Sequence, residues 1–520
     1  MKTGEVASYG HLDEGEFRRR ASAGVFLTAG WSSVNLAVAF LGNIVLARLL
    51  TPRDFGIFAI GATVLLLVGA ISDGGLAAGL LRRPAVPERS ELRNLLGVNL
   101  AVTIPIAAAG FLIAPQLSAA GLAVAVMLLG LPLGALQSPA RLMFNRELLF
   151  QRIGIIDAAG IVAFYGWTIT FAGLGFGVWA LATGSLMRIS VSAILAVILS
   201  PYRVVVPSLA GARRLFPIFR FGLSFQAQYI TAVVRDQGLN VTIAMIGGIA
   251  TLGLWSLVYR VMQAPLVLFE SALRVAFPAM SRFLADKRDP APMIERSLRI
   301  SGVVAALAMA TLGAAGPQLI PTIFGEQWRA ASLLFSVACR AMLVSGPASA
   351  SMVGYLCAAA RPGIVVRAAI ACAVVWIVTA AALLPVVGVV AVGIGWVLGA
   401  VIDAAILGVA VTRLTGSRVF HHLLPPIAVG ACAMAVGWLV TRTGPDTALT
   451  GAAGALTAAV LVVLLLRGLR PGVVSEMIGF AGHSMSAATR AGRRPADRTA
   501  PGYRAVKPRP QQQPLRSRRL

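Results

Sequence analysis

Fourteen apolar runs, each long enough to cross a bilayer, follow one another along the chain, and Arg and Lys cluster in every second linker between them. A hydrocarbon core about 30 Å thick takes roughly 20 residues of helix at about 1.5 Å per residue. The runs centre near Ala37, Leu66, Pro105, Leu129, Ile161, Val191, Val233, Val267, Ala310, Val344, Val375, Leu398, Val436 and Leu461. With 58% hydrophobic and 12% charged residues and a mean hydropathy of +0.82, the chain carries more apolar surface than a soluble core can hide. A membrane-spanning barrel would show alternating segments of about ten residues instead of continuous runs. The expectation is therefore an all-α polytopic membrane protein with about 14 transmembrane helices.

The linkers orient it. Basic residues recur after runs 2, 4, 6 and 8 (Arg82, Arg83, Arg89 and Arg93; Arg146 and Arg152; Arg203, Arg213 and Arg214; Arg282, Lys287 and Arg288), and again at Arg361, Arg367, Arg413 and Arg418. The linkers around Gln116, Gly175, Gly248 and Pro385 carry no charge. Because positive residues stay inside, the even linkers and both termini are expected in the cytoplasm of a bacterial cell, with the chain in its inner membrane. The first run, Gly24 to Leu50, is too long for a signal-peptide core and is expected to be retained.

The net charge of +25 does not point to nucleic acid, since much of it is this linker bias. Another block lies from Arg490 onward, with ten basic residues, one acid and no apolar run. That composition predicts a disordered tail whose partner is the anionic inner leaflet, at about 1 kcal/mol per basic residue near the surface. A role limited to topology and solubility is the alternative. The four cysteines, Cys339, Cys357, Cys372 and Cys432, match neither a disulfide framework nor a zinc site and are assigned to packing. Gly173-Leu-Gly-Phe-Gly177 lacks the strand and Lys of a phosphate loop and is expected to be a turn. No cofactor is called for. His421-His422, at a cytoplasmic helix edge, is expected to have no acidic partner nearby and is a poor metal pair.

A faint internal repeat is displaced by 197 residues: Asn43 falls on Asn240, Ser32 on Tyr229, and Phe55-Gly56-Ile57-Phe58 on Leu252-Gly253-Leu254-Trp255. Six runs separate the copies, so both enter the membrane in the same direction. That predicts two parallel six-helix lobes around a central cavity, related by an axis along the membrane normal. The organisation expected is a cytoplasmic N-terminus (1–21), an N-terminal lobe (22–200), a cytoplasmic hinge linker (201–217), a C-terminal lobe (218–413), two further transmembrane helices (414–470) and the basic tail (471–520).

Particular residues then resemble a known family. Leu46-Ala-Arg-Leu-Leu-Thr-Pro-Arg-Asp-Phe-Gly-Ile-Phe58, Ser72-Asp-Gly-Gly-Leu76 and Arg82-Arg83 look like the opening of Wzx/WzxC-type oligosaccharide flippases, within the multidrug/oligosaccharidyl-lipid/polysaccharide exporter superfamily. Phe144-Asn-Arg-Glu-Leu-Leu-Phe-Gln-Arg152, Phe324-Gly-Glu-Gln-Trp328 and Arg361-Pro-Gly363 extend the likeness over about residues 18 to 470. The resemblance implies a lipopolysaccharide or exopolysaccharide biosynthesis flippase. It would move a polyprenyl-pyrophosphate-linked glycan from the cytoplasmic to the periplasmic leaflet by alternating access, with a polysaccharide polymerase and glycosyltransferases as partners. An ion-coupled multidrug or small-molecule antiporter of the same superfamily is the alternative. A membrane enzyme would need a large loop bearing carboxylates or metal ligands, and no interior linker is long enough to supply one.

Ionisable groups at membrane depth are functional candidates by default. At 100° per residue, Arg260, Gln263, Glu270 and Arg274 share one narrow face of the eighth run. Thr28, Ser32, Asn35, Gly42 and Asn43 share an arc of the first. In the seventh, Asp236 and Asn240 lie on one face and Arg235 on another, which leaves open which meets the cavity. Arg188, Arg340, Asp73 and Asp403 are isolated. The functional expectation is that cavity arginines, Arg260 and Arg235 first and Arg188 and Arg340 next, hold a pyrophosphate through bidentate hydrogen bonds. Glu270 and Asp236 would be counter-charges or cation sites. The competing expectation is that these residues form interhelical ion pairs that fix packing.

Overall fold

A computed structural model describes residues 31, 34–73, 75–83, 86–117, 119–200, 206–211 and 231–469. Among them every regular element is helical. In chain order these are α1 (Val34–Leu49), α2 (Pro52–Asp73), α3 (Leu76–Arg82), α4 (Arg89–Leu117), α5 (Ala119–Leu128), α6 (Gly130–Leu136), α7 (Ser138–Arg146), α8 (Phe150–Gly173) and α9 (Val178–Leu199). The second half holds α10 (231–242), α11 (Ile249–Ala285), α12 (Ala291–Phe324), α13 (Ala331–Ala348), α14 (Gly354–Ala358), α15 (Pro362–Val387), α16 (Val390–Thr415), α17 (Val419–Thr443) and α18 (Ala448–Leu469).

Ten of these helices are long and apolar enough to span a membrane, or eleven if the bent segment from Ala120 to Arg146 counts as one. Thirteen of the fourteen expected centres fall on a helix, and Leu129 falls at the junction of α5 and α6. α1, α10 and α11 are not among those spans; α1 and α10 begin where the described residues begin. The bend of 44° falls at Gln137, where Pro139 stands in the first turn of α7 and cannot continue the α6 hydrogen-bond ladder. Gly173–Gly177 is a turn: Gly175 (φ 87°) and Gly177 (φ 54°) take left-handed backbone that residues with a Cβ avoid.

The helices before residue 200 pack largely on one another, as do those after 249, and the two groups meet chiefly along α2 and α11. Helices α17 and α18 lie against α12. The odd-numbered loops gather at one end of the molecule. There the Arg48 guanidinium donates to the carbonyls of Thr322 and Ile323 at 2.7 and 2.9 Å. Gln327 and buried Trp328 both donate to the Ala47 carbonyl at 2.8 Å, and Phe55 meets the Trp328 ring edge-on at 5.0 Å. The closest approach is between Gly56 and Gly253. A Cβ on Gly56 would overlap the Ile249 carbonyl, and one on Gly253 would overlap the Pro52 carbonyl. The two contacts are related by the same 197-residue displacement that relates the sequence copies.

Basic linkers occupy the opposite end. Arg146 donates to the Arg83 carbonyl at 2.9 Å and Arg152 to that of Leu199 at 2.7 Å. His422 does have an acidic partner, contrary to the sequence expectation. Glu295, distant in the chain, lies 3.3 Å from its Nε2 and also accepts the Arg418 backbone N–H at 2.8 Å. The expected hinge is tethered where it is described. Ser208 donates its N–H to the Arg93 carbonyl, the Arg93 side chain donates to the Val206 carbonyl, and Gly211 donates to Asn94 Oδ1. Residues 201–205 and 212–217 of that linker, the N-terminus and the tail lie outside the described residues. Cysteine burial divides: Cys339 is buried, Cys357 and Cys372 are half-buried, and Cys432 is exposed.

Candidate functional site

A cavity of about 420 Å³ opens between the two helix groups, walled by α1, α2, α8, α9 and α11. Arg260 of α11 stands in its wall. The guanidinium carbon lies 5.4 Å from the Phe55 ring centre and 5.2 Å from that of Phe58, and Nη1 donates to Asn43 Oδ1 at 3.0 Å. Two aromatic faces and one amide stabilise a cation without neutralising it. Among the described side chains no carboxylate pairs with Arg260, and the like charge of Arg188 lies within electrostatic reach of it. Arg188, from α9, lines the same cavity. Tyr165 completes this wall. Its ring occupies the space that a side chain on Gly42 would need, so the absence of a Cβ in α1 lets α8 bring a phenol to the site.

A second pocket, about 260 Å³, lies beside it, between α2 and the helices α10, α11 and α15. Leu66 contributes from α2, and Asp236, Asn240, Trp255, Tyr259 and Trp376 face it from the other group. Arg235 Nε lies 2.7 Å from Asp236 Oδ1, so this arginine is neutralised by its neighbour in sequence. The Tyr259 hydroxyl donates to Asp236 Oδ2 at 3.4 Å. Asn240 Nδ2 donates to Thr63 Oγ1 at 3.2 Å, across the two groups, and to Gln237 Oε1 at 3.0 Å. Behind this wall Trp255 meets Trp376 and Trp396 edge-on, and those two stack at 5.0 Å. Gln263 lines the first cavity and Tyr259, one turn back on α11, lines the second, so the two adjoin along this helix.

The structure thus separates residues that the sequence grouped. Arg260, Gln263, Asn43 and Arg188 share the first cavity; Asp236 and Asn240 line the second, with Arg235 held on Asp236. Asn35 lines neither, because α1 turns Leu36, Ala39, Phe40 and Asn43 to the cavity. Arg340 stands apart on α13 and donates to the Ser336 carbonyl one turn back at 3.3 Å. The side chains of Glu270, Arg274 and Asp73, and residues Thr28 and Ser32, lie outside what is described. Tyr165, Tyr259 and Phe55 escape a search for charge, although Phe55 and Phe58 lie within the motif after the first run.

A family model described as polysaccharide biosynthesis protein matches residues 45–333, more than half of the chain. The lipopolysaccharide biosynthesis protein WzxC of Escherichia coli is 24% identical over 329 residues, 60% of this chain and 65% of that protein. The succinoglycan biosynthesis transport protein ExoT of Rhizobium meliloti is 24% identical over 316 residues, 58% and 62% of the two chains. The chain therefore spans slightly less than two thirds of these relatives. Among solved structures, the lipid II flippase MurJ in an inward closed conformation superposes with a TM-score of 0.66, covering 86% of this chain and 100% of that one at 12% identity. An inward-facing multidrug resistance MATE family transporter of the MOP superfamily gives 0.57 over 74% and 96%, at 14% identity. At such identities the likeness is one of fold.

Proposed function

The chain belongs to the polysaccharide biosynthesis protein family, and from that premise we propose that it is a flippase for a polyprenyl-pyrophosphate-linked oligosaccharide, carrying it from the cytoplasmic to the periplasmic leaflet of a bacterial inner membrane. The observation that carries this is Arg260, which no carboxylate among the described side chains neutralises, with Arg188 lining the same cavity between two helix groups. Two like charges held together at membrane depth are costly unless an anion visits them. A pyrophosphate answers both charges, since each guanidinium offers parallel N–H donors to its oxygens. The relatives, named for lipopolysaccharide biosynthesis and succinoglycan transport, support a glycan as the remainder of the cargo.

The end rich in basic linkers faces the cytoplasm by the positive-inside rule, which places both termini there. The contacts among α1, α2, α11 and α12 then close the periplasmic end while the cytoplasmic half admits the lipid head. Alternating access follows when the lobes rock about the cavity, the lipid tail staying in the bilayer. The basic tail would lie on the anionic inner leaflet, and a polymerase and glycosyltransferases would work on either side of the step. A net-positive cavity favours this cargo over a cationic drug, the cargo of the antiporter reading.

Replacing Arg260 tests it. Loss of one charge-assisted contact, worth about 1.5 to 3 kcal/mol, lowers pyrophosphate affinity roughly ten- to a hundredfold. Arg260→Ala should reach normal membrane levels yet lose surface polysaccharide and accumulate lipid-linked oligosaccharide on the cytoplasmic leaflet. Arg260→Lys should restore part of the export, keeping charge without the fork. Normal export by Arg260→Ala and by Arg188→Ala would remove the site.

A further inference from the structure

The two pockets differ in charge, and that difference says what each is fit to hold. Among the described side chains the first is net positive. The second has no excess positive charge, because Asp236 pairs with Arg235 at 2.7 Å and Asp403 lies within electrostatic reach of the same arginine, so nothing in it selects a phosphate over water. Its polar wall combines the Asp236 carboxylate with neutral hydrogen-bonding groups. Both amide hydrogens of Asn240 are spent on Thr63 and Gln237, which leaves Asn240 Oδ1 as an acceptor, and the Tyr259 hydroxyl donates to Asp236. Next to these stand the Tyr259, Trp255 and Trp376 rings. Aromatic rings beside hydrogen-bond acceptors match a pyranose, whose C–H faces are apolar and whose rim donates hydrogen bonds.

We infer that this second pocket is the subsite for the sugar attached to the pyrophosphate. The inference rests on the assignment of the pyrophosphate to Arg260 and Arg188. Its placement follows from the helix: a head group seated at Arg260 and Gln263 lies one turn of α11 from Tyr259, which lines the second pocket. The pocket takes residues from both helix groups, Leu66 and Thr63 from α2 and the rest from α10, α11 and α15. It therefore exists only while α2 and α11 are together. A sugar bound there stabilises the state closed at the odd-loop end and is released when the groups part, which ties cargo recognition to the transport step.

Two lipids separate this subsite from the arginine site: undecaprenyl pyrophosphate and the same lipid carrying one hexose, each titrated against the purified full chain in nanodiscs. The intact protein should bind the hexose-bearing lipid about tenfold more tightly, the gain expected from one or two hydrogen bonds to the sugar. Asn240→Leu, which removes the acceptor, and Ala232→Leu, which fills the pocket without touching its polar groups, should abolish that gain and leave affinity for the bare lipid as it was. Arg260→Ala should weaken both lipids alike. If the intact protein binds both lipids equally, or if both pocket variants keep the tenfold gain, the sugar subsite is wrong while the pyrophosphate site stands. If the pocket variants weaken both lipids equally, the pocket serves the fold and the inference also fails. Binding of neither lipid by the intact protein overturns the subsite and the proposed function together.

Discussion

Arg260 and Arg235 carry the same charge on neighbouring helices, and only their surroundings tell them apart: two phenylalanine rings and an amide around one, a carboxylate 2.7 Å from the other. The sequence marks both positions, because an arginine inside an apolar run is conspicuous, but a charge does not disclose which neighbour answers it. A third arginine shows how a pair at the rim behaves. Arg329 reaches Glu326 at 2.8 Å and Asp446 at 3.2 Å, and Gln318 donates to the other Asp446 oxygen at 2.9 Å. The Gln318 hydrogen bond first, and the Arg329 charge second, hold the Asp446 carboxyl below the usual carboxylate range of about 3.9. A lowered carboxylate pKa contributes stability that is present above the unfolded value and is lost as pH falls through the folded one. Asp446→Asn should therefore lower the thermal midpoint slightly, by about a degree, at pH 7, exposed pairs being weak. The difference from the parent should shrink as pH falls below the ordinary carboxylate value and vanish once it passes the lowered folded one. A gap that persists at acid pH would show that the asparagine acts through packing and not through charge.

At the scale of elements, the positions of helices were legible and their faces only in part. Apolar length placed a helix over thirteen of the fourteen centres, Leu129 falling between α5 and α6, and Gly175 and Gly177 read correctly as a turn. What one chain cannot show is the partner across the gap. Gly42 gives its place to the Tyr165 ring, which turns Leu36 and Asn43 to the cavity instead of Asn35. Glu295 reaches His422 from 127 positions away. Likewise the prolines and arginines of the linker spell a hinge, while the docking of residues 206–211 depends on Gly97, which lacks a side chain opposite the Ser208 carbonyl. Gly97→Leu should displace that segment. In a Cys432→Ser background, cysteine at Ser208 should then react several-fold faster with a membrane-impermeant thiol reagent than it does with Gly97 intact. An unchanged rate would mean the segment has room to shift without leaving α4.

For the whole molecule the decisive contact is the smallest one. The two helix groups close on each other where Gly56 of α2 faces the Ile249 carbonyl and Gly253 of α11 faces that of Pro52. Backbone-to-backbone approach of this kind gains packing and weak Cα–H···O contacts that any side chain would forfeit. Because the pair sits on the symmetry of the repeat, the two glycines are equivalent, and adding a side chain to either should wedge the same end open. Spin labels at exposed Arg53 and Ala250, beside the contact, would report it. Gly56→Leu and Gly253→Leu should each lengthen the label separation by several ångströms, and the double variant should add little, since both act on one contact. Export should fall with either. Gly69→Ala on the same helix is the control, because a Cβ there meets nothing within 4 Å, and it should leave both separation and export as they are. If neither leucine variant changed the separation, the closed end would be held by the Arg48 and Trp328 hydrogen bonds alone. The 197-residue echo would then record the ancestry of the fold and not the place where it shuts.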